Sequence, residues 1–460
     1  MISLHHRFTS PRTRLAGAAA ARWRGALSLV LASALLGSSA LLTGCPDNEG
    51  APASTAISGG GDGSGGEDES GGAGGTGGED ESGGGGAGNP PGECVGSTAE
   101  ANTDPDDPVQ RAADHLVRDL EFPAVLVAVQ DVDGETRHYT AGVADLETQA
   151  KVPVDGQVRI GSNTKPFTAV VVLQLVGEGK VDLDAPIEAY LPDLIRGEGI
   201  DGRDITVRQI LQHTSGLPDF VGALLGGDLA TALHTYVDPR TLLDLALAQA
   251  ASFPPGDRWG YSNTNYIVAG LLIEEVTGRP LAEEVTERVI ERIGLRHTYV
   301  PGAGDQTIRE CHPRGYHADG FGEPLYDVTE LDPSIAGASG DIISTPSDLN
   351  RFFSALLGGE LLEPAELEQM RATVDASSMW PGYAYGLGLS STPLGCGGIV
   401  WGHGGDIFGY ETAGGVTEDG RAVTVAVTAL PSAVPGVETI EQAYAAYADV
   451  LAVVDTALCE

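Results

Sequence analysis

The sequence predicts an α/β fold: an antiparallel sheet flanked by helices, with an inserted all-helical subdomain. Strand patterns cluster near both ends of the region that follows residue 108, at 123–129 and 136–143 and again at 384–390, 407–415 and 421–429. Helical patterns occupy the middle, at 205–211, 238–252, 263–277, 280–293, 346–358 and 364–373. Terminal helices at 108–121 and 437–457 bracket the whole. Strands from both ends bury their apolar faces most simply by joining one sheet, which leaves the central helices as a separate layer. Asp133-Gly134 and Glu418-Asp419-Gly420 read as hairpin turns between the strands on either side of them.

The first hundred residues lack the apolar content for a domain. Arginines 7, 12, 14, 22 and 24 precede the apolar run from Ala26 to Leu36, which is short for a membrane span and fits a secretory signal. Leu42-Thr43-Gly44-Cys45 ends it, so residues 1–44 read as a lipoprotein signal peptide and Cys45 as a lipidated mature N-terminus, exported and anchored to a bacterial membrane. Residues 45–107 read as a disordered, acidic, Gly-rich tether, in which Gly-Gly-Glu-Asp-Glu-Ser-Gly-Gly occurs twice; the segment 46–107 holds 14 acidic residues and no Lys or Arg. The remainder, 108–460, is the folded domain. A formal net charge of −39 argues against nucleic acid as a partner. No Cys-x-x-Cys or His-Glu-x-x-His spacing supports a metal site, and no cofactor is expected. Cys94, Cys311, Cys396 and Cys459 remain after the leader; an even number in an exported chain suggests disulfides, with three connectivities open.

Candidate chemistry begins at Arg159-Ile160-Gly161-Ser162-Asn163-Thr164-Lys165-Pro166-Phe167. From Lys165 onward the residues are apolar enough for a buried helix, and Pro166 is tolerated only in its first turn. Ser162 and Lys165, three apart, then share one helix face, so the amine can reach the hydroxyl. A serine needs such a base. The helix dipole disfavours a cation at this end and so favours a neutral lysine. The bland reading is a capping serine beside a solvated lysine, yet the chain has only three lysines and a helix N-terminus suits an idle one poorly.

Two further stretches carry polar groups of the right kind. In Trp259-Gly260-Tyr261-Ser262-Asn263, Tyr261 could shuttle a proton if a nearby lysine lowers its phenol pKa, and the Asn263 amide could accept from that lysine and donate to a substrate carbonyl. A helix-capping Asn with an aromatic neighbour is the alternative. In Trp401-Gly402-His403-Gly404-Gly405-Asp406, glycines let the backbone approach a ligand beside a strand edge. His213-Thr214-Ser215-Gly216-Leu217-Pro218 reads as a structural turn rather than a second nucleophile.

Together these three stretches resemble the serine β-lactamase and DD-peptidase superfamily, in particular class C β-lactamases and the related D-alanyl-D-alanine carboxypeptidases and esterases. Ser162-Asn163-Thr164-Lys165 matches Ser-x-x-Lys, Tyr261-Ser262-Asn263 matches Tyr-x-Asn, and His403-Gly404-Gly405 matches Lys/His-x-Gly; the segments at 213–218 and 339–345 look like framework of the same family. The resemblance covers about residues 110–455 and implies a serine hydrolase with a β-lactamase/transpeptidase-like fold, acting on a small-molecule or peptide substrate. Ser162 would attack an acyl carbonyl, Lys165 and Tyr261 would handle the proton, Asn263 would orient the pair and His403 would assist from the opposite wall. Backbone amides of Ser162 and of Asp406, the residue after Gly405, would form the oxyanion hole. The resembled enzymes usually carry Ser or Thr where this chain has Asp406: an ionised side chain facing the pocket would disfavour substrates with a carboxylate, and one pointing away along the strand would leave only its backbone amide to serve the oxyanion hole. The resembled fold, with its chain ends close together, also implies disulfides Cys94–Cys459 and Cys311–Cys396. A non-catalytic lipoprotein that binds a wall peptide or partner on the same fold is the competing reading, and the full polar set argues against it. No Gly-x-Ser-x-Gly pentad supports an α/β-hydrolase triad.

Overall fold

The computed structural model describes residues 100–226 and 229–460. The leader, Cys45, most of the tether and Cys94 lie outside the described residues. The last residues assigned to the tether, 101–107, make contacts with the folded domain. Asn102 N–H donates to the His138 carbonyl at 2.6 Å, Ala101 bridges to His138, and the Asp107 carboxylate caps the helix Pro108–Arg118 (α1) by accepting from the backbone of Val109 and Gln110. Composition alone could not mark this boundary, because Asn and Asp serve a cap as well as a linker.

Strands Ala124–Gln130 (β1) and Thr136–Gly142 (β2) form the predicted hairpin. Late in the chain come Ser390–Pro393 (β3), Ile399–Gly402 (β4), Gly405–Ile407 (β5), Tyr410–Thr417 (β6) and Ala422–Val427 (β7). All join a nine-stranded sheet in the order β2-β1-β7-β6-β4-β3, continued by short strands at Ala384–Tyr385 and Val374–Asp375, with β5 pairing β6 off this path. The two ends of the domain meet where β1 pairs β7, Val127 opposite Val425, and every pairing in the sheet is antiparallel. The predicted strand at 384–390 is two short strands around a turn, because Gly386 and Gly388 pack against the Met370 backbone and the Ala169 side chain with no room for a Cβ.

Alternation along the strands explains the layers. In β1, Val125, Val127 and Val129 face a core shared with α1 and with the C-terminal helix Ile440–Cys459, whereas Ala124 and Leu126 face the helical side. On that helical side lie Thr164–Gly177 (α2), Thr264–Thr277 (α3) and Pro346–Leu357 (α4). Helix α2 is apolar on every face and has 11 of its 14 residues buried, which suits a helix enclosed by other elements rather than one lying on a surface. Phe167 of α2 stacks on Phe352 of α4 at 3.8 Å between ring centroids. The predicted helix at 280–293 is continuous but carries a π turn at Thr286–Ile290. The C-terminal helix is hereafter α5.

The predicted disulfide pairing is corrected. Cys396, in the turn between β3 and β4, is bonded to Cys459 at the end of α5, with Cα atoms 5.6 Å apart. Cys311 is also disulfide-bonded, so neither Cys94–Cys459 nor Cys311–Cys396 forms. The last turns of α5 lie against the β3–β4 turn, where Gly395 N–H donates to Asp455 at 2.6 Å, and this carries Cys459 to Cys396.

Candidate active site

Ser162 occupies a 3₁₀ turn, Gly161–Asn163, that feeds directly into α2. The turn is pinned from three sides. Ile160 N–H donates to the Ile342 carbonyl at 3.0 Å, Ile342 N–H donates to Thr164 Oγ1 at 3.1 Å, and Asn163 Nδ2 donates to Thr412 Oγ1 on β6 at 2.8 Å. Two glycines permit the close approach of β5. A Cβ on Gly405 would lie 1.9 Å from the Ile160 oxygen, and one on Gly161, at φ +49°, would lie 2.7–2.9 Å from the Asp406 backbone. The Asp406 peptide is thereby held beside the residue preceding Ser162.

Lys165 is fully buried, so it is no solvated surface charge. Its Nζ lies 2.9 Å from Ser162 Oγ, 2.8 Å from Asn263 Oδ1 and 2.8 Å from the Ser339 carbonyl. Burial lowers its pKa to about 7, against the opposing pull of Asp219 and Asp406. Desolvation is therefore the main cause of the lowered pKa, which makes the base form available near neutral pH.

Asn263 is formally the N-cap residue of α3, yet its side chain makes no capping bond. Its Nδ2 and its backbone N–H both donate to Asp219 Oδ2, at 2.9 and 3.0 Å, which turns Oδ1 toward Lys165. Tyr261 lines the cavity together with Ser162, and Lys165 Nζ stands 4.9 Å from its ring centroid. The expected lowering of the Tyr261 pKa is reversed: burial pushes it well above the ordinary phenol value. Tyr261 stays a neutral phenol, able to pass a proton but not to begin as a phenolate base.

His403 reaches the same site, its ring centroid 6.4 Å from that of Tyr261. Its Nε2 lies 2.9 Å from Tyr385 Oη, and burial followed by the nearness of Lys165 lowers its pKa to about 3, so the imidazole is neutral. Asp406 opens onto the cavity. Water reaches the side chain there, but protein surrounds the cavity, and this enclosure raises its pKa to about 6. The cavity has a volume of about 880 Å³ and runs from Ser162 past Trp259 and Tyr383 to Tyr447 on α5. Among the described residues no cluster of His, Cys, Asp or Glu is placed to hold a metal ion.

Ser162, Lys165, Tyr261, Asn263, His403, Gly405 and Asp406 thus converge; Cys45 is outside the described residues. Four participants were not read from the sequence as site residues: Asp219, the Ser339 carbonyl, Tyr385 and His213. His213, at φ +59°, accepts at Nδ1 from Ser262 N–H (3.3 Å) and Asn265 Nδ2 (3.0 Å), and so anchors the Tyr-x-Asn turn. Asp219 follows the 213–218 segment directly, and that adjacency was its only signal.

A serine and a buried lysine at the mouth of an enclosed helix, set between an antiparallel sheet and a helical layer, define the class of β-lactamase-like serine hydrolases. The chain belongs to the Beta-lactamase family, whose sequence model matches residues 109–448. It is similar to Penicillin-binding protein 4* of Bacillus subtilis (strain 168), at 26% identity over 60% of this chain and 61% of that protein, so it spans about three fifths of that relative's length. Esterase EstB of Burkholderia gladioli is 36% identical over 37% of this chain and 45% of its own. Among solved structures, a D-stereospecific amidohydrolase from Streptomyces sp. shares 38% identity with a TM-score of 0.66, covering 74% of this chain and 97% of the other. The D-amino acid amidase from Ochrobactrum anthropi SV3, complexed with L-phenylalanine amide, shares 29% with a TM-score of 0.64, covering 76% and 98%.

Proposed function

We propose that this protein cleaves an amide or ester through an acyl-enzyme on Ser162 and prefers substrates with no carboxylate beside the scissile bond. The observation that carries the reading is the hydrogen-bond pattern around Lys165 Nζ. Asn263 Oδ1 and the Ser339 carbonyl can only accept, so a neutral lysine spends both N–H groups on them. The remaining lone pair then faces Ser162 Oγ at 2.9 Å. Ser162 O–H gives its proton to that lone pair as Oγ attacks the carbonyl carbon. The resulting oxyanion is received by the backbone N–H groups of Ser162 and Asp406. Proton return through Lys165 and the Tyr261 hydroxyl protonates the leaving amine or alcohol, and water later attacks the ester to Ser162, releasing the acid.

Kinship with penicillin-binding proteins, an esterase and amidases supports hydrolysis without selecting among them. Asp406 favours the amidase or esterase end, since an ionised carboxylate on the cavity wall repels a substrate carboxylate. Intact-protein mass after treatment with a serine-directed phosphonate should show one adduct, on the peptide that holds Ser162. Labelling of Ser215 or Ser339 instead, or full turnover by Ser162→Ala, would sink the assignment. We place the protein, exported, at the periplasmic or cell-surface face of a bacterial membrane, held by lipid on Cys45; the predicted leader and the acidic composition after it support this.

A further inference from the structure

The cavity holds an acidic feature that the Ser162 chemistry leaves unused. Glu411 on β6 stands directly opposite Asp406 on β5, so two carboxyl side chains share one face of an antiparallel pair. Like charges in that relation destabilise a sheet. Glu411 is 1% exposed yet belongs to the cavity wall, and its Oε1 has no hydrogen-bond partner. An unpaired buried carboxyl oxygen carries a desolvation penalty that a donor from the cavity's occupant would relieve. Arg258 is the one Lys or Arg among the described cavity-lining residues, and it is committed elsewhere. It stacks on Phe253 at 4.7 Å and donates to the Ser252 carbonyl at 3.3 Å. The wall near the pair is aromatic: Trp380 and Tyr447 meet edge-on at 5.9 Å, and Tyr383 lies beside them on the cavity surface. Carboxyl groups next to aromatic faces suit an ammonium ion.

We propose that Asp406 and Glu411 form a cation subsite, so that the substrate is an amide or ester carrying a free, protonated amine, as an amino-acid amide does. Asp406, open to the cavity, contacts the ammonium directly. Glu411, behind it, offers Oε1 to another of the three N–H donors. Burial and the charge of Asp406 keep Glu411 protonated while the subsite is empty, which tolerates the pairing until a cation arrives. The two carboxyl groups, unlike the Asp406 backbone N–H, do not touch the reacting atoms and act on specificity. The inference rests on the acyl-enzyme reading for the reaction, but its binding step can be tested without turnover.

The test is titration calorimetry of the Ser162→Ala protein with D- and L-phenylalanine amide and with their N-acetyl counterparts, which lack the charge. The free amine of at least one enantiomer should bind about ten-fold tighter or more, and Glu411→Gln in the same background should shrink that preference to about three-fold or less. Equal affinity for amine and N-acetyl forms overturns the proposal, as does a preference that survives Glu411→Gln in a protein with an unchanged melting curve. Should Glu411→Gln fail to fold, Asp406→Asn must erase the preference in its place, and its failure to do so is equally decisive. Phosphonate labelling of the unaltered enzyme separates the two readings. Loss of labelling with the amine preference intact strikes the acyl-enzyme, whereas labelling without the preference strikes only the subsite.

Discussion

At the scale of single residues the chemistry turns on Lys165, where burial moves a proton equilibrium by itself. Its pKa falls from 10.5 to about 7, so the base form is present above about 7 and lost below it. Turnover of a neutral nitrophenyl ester should therefore rise with pH through about 7 and then level off; a rise delayed to pH 10 would mean that the lysine is charged at neutrality. Lys165→Ala should lower kcat by roughly a hundred-fold to ten-thousand-fold with a much smaller change in KM, because it removes proton transfer and not contact area. Asp406 shifts the other way, up to about 6, so it is neutral below that value and ionised above it. Reactivity toward penicillin, measured relative to the neutral ester, should fall as pH rises through about 6. Asp406→Ser should abolish that trend and raise penicillin acylation roughly ten-fold or more. Efficient penicillin turnover by the unaltered enzyme, with no gain in the variant, would remove the charge argument.

Among elements, the site depends on joints between pieces distant in sequence. The Tyr261–Asn263 turn is held by Asp219 and His213, and the Ser162 turn by Ile342 and Thr412. The far end of the cavity is built by α5, which contributes Tyr447, and the Cys396–Cys459 bond ties α5 to the β3–β4 turn. With the cysteines 63 positions apart in sequence, the chain-entropy model assigns the bond about 4 kcal/mol as an upper figure. The double variant Cys396→Ser with Cys459→Ser should melt at a distinctly lower temperature. Non-reducing peptide mapping of the parent should recover the 396 and 459 peptides linked, and recovery of Cys311 joined to Cys396 would contradict this geometry.

For the whole molecule, the formal net charge is −39, and residues 46–107 contribute 14 acidic residues and no Lys or Arg to it. Cys45→Ala should move the protein from the membrane fraction to the soluble exported fraction. Retention in the membrane after signal cleavage would show that something other than the lipid holds it.

The amino-acid sequence by itself determined the antiparallel sheet, the buried helix behind Ser162 and the three site motifs. Each of these is written in local composition or spacing: short apolar runs bounded by turn residues at β1 and β7, an almost unbroken apolar run after Pro166, a hydroxyl three residues from an amine. It did not determine what lies within 3 Å of those motifs. Asp219 and Ser339 meet Asn263 and Lys165 across separations of 44 and 174 residues, and Cys459 meets Cys396 because α5 docks on the β3–β4 turn. Protonation states belong to the tertiary structure as well. The lowered pKa of Lys165, the raised phenol of Tyr261 and the unpaired Oε1 of Glu411 all arise from removing charge or polarity from water, and only the packed fold decides which groups lose that water.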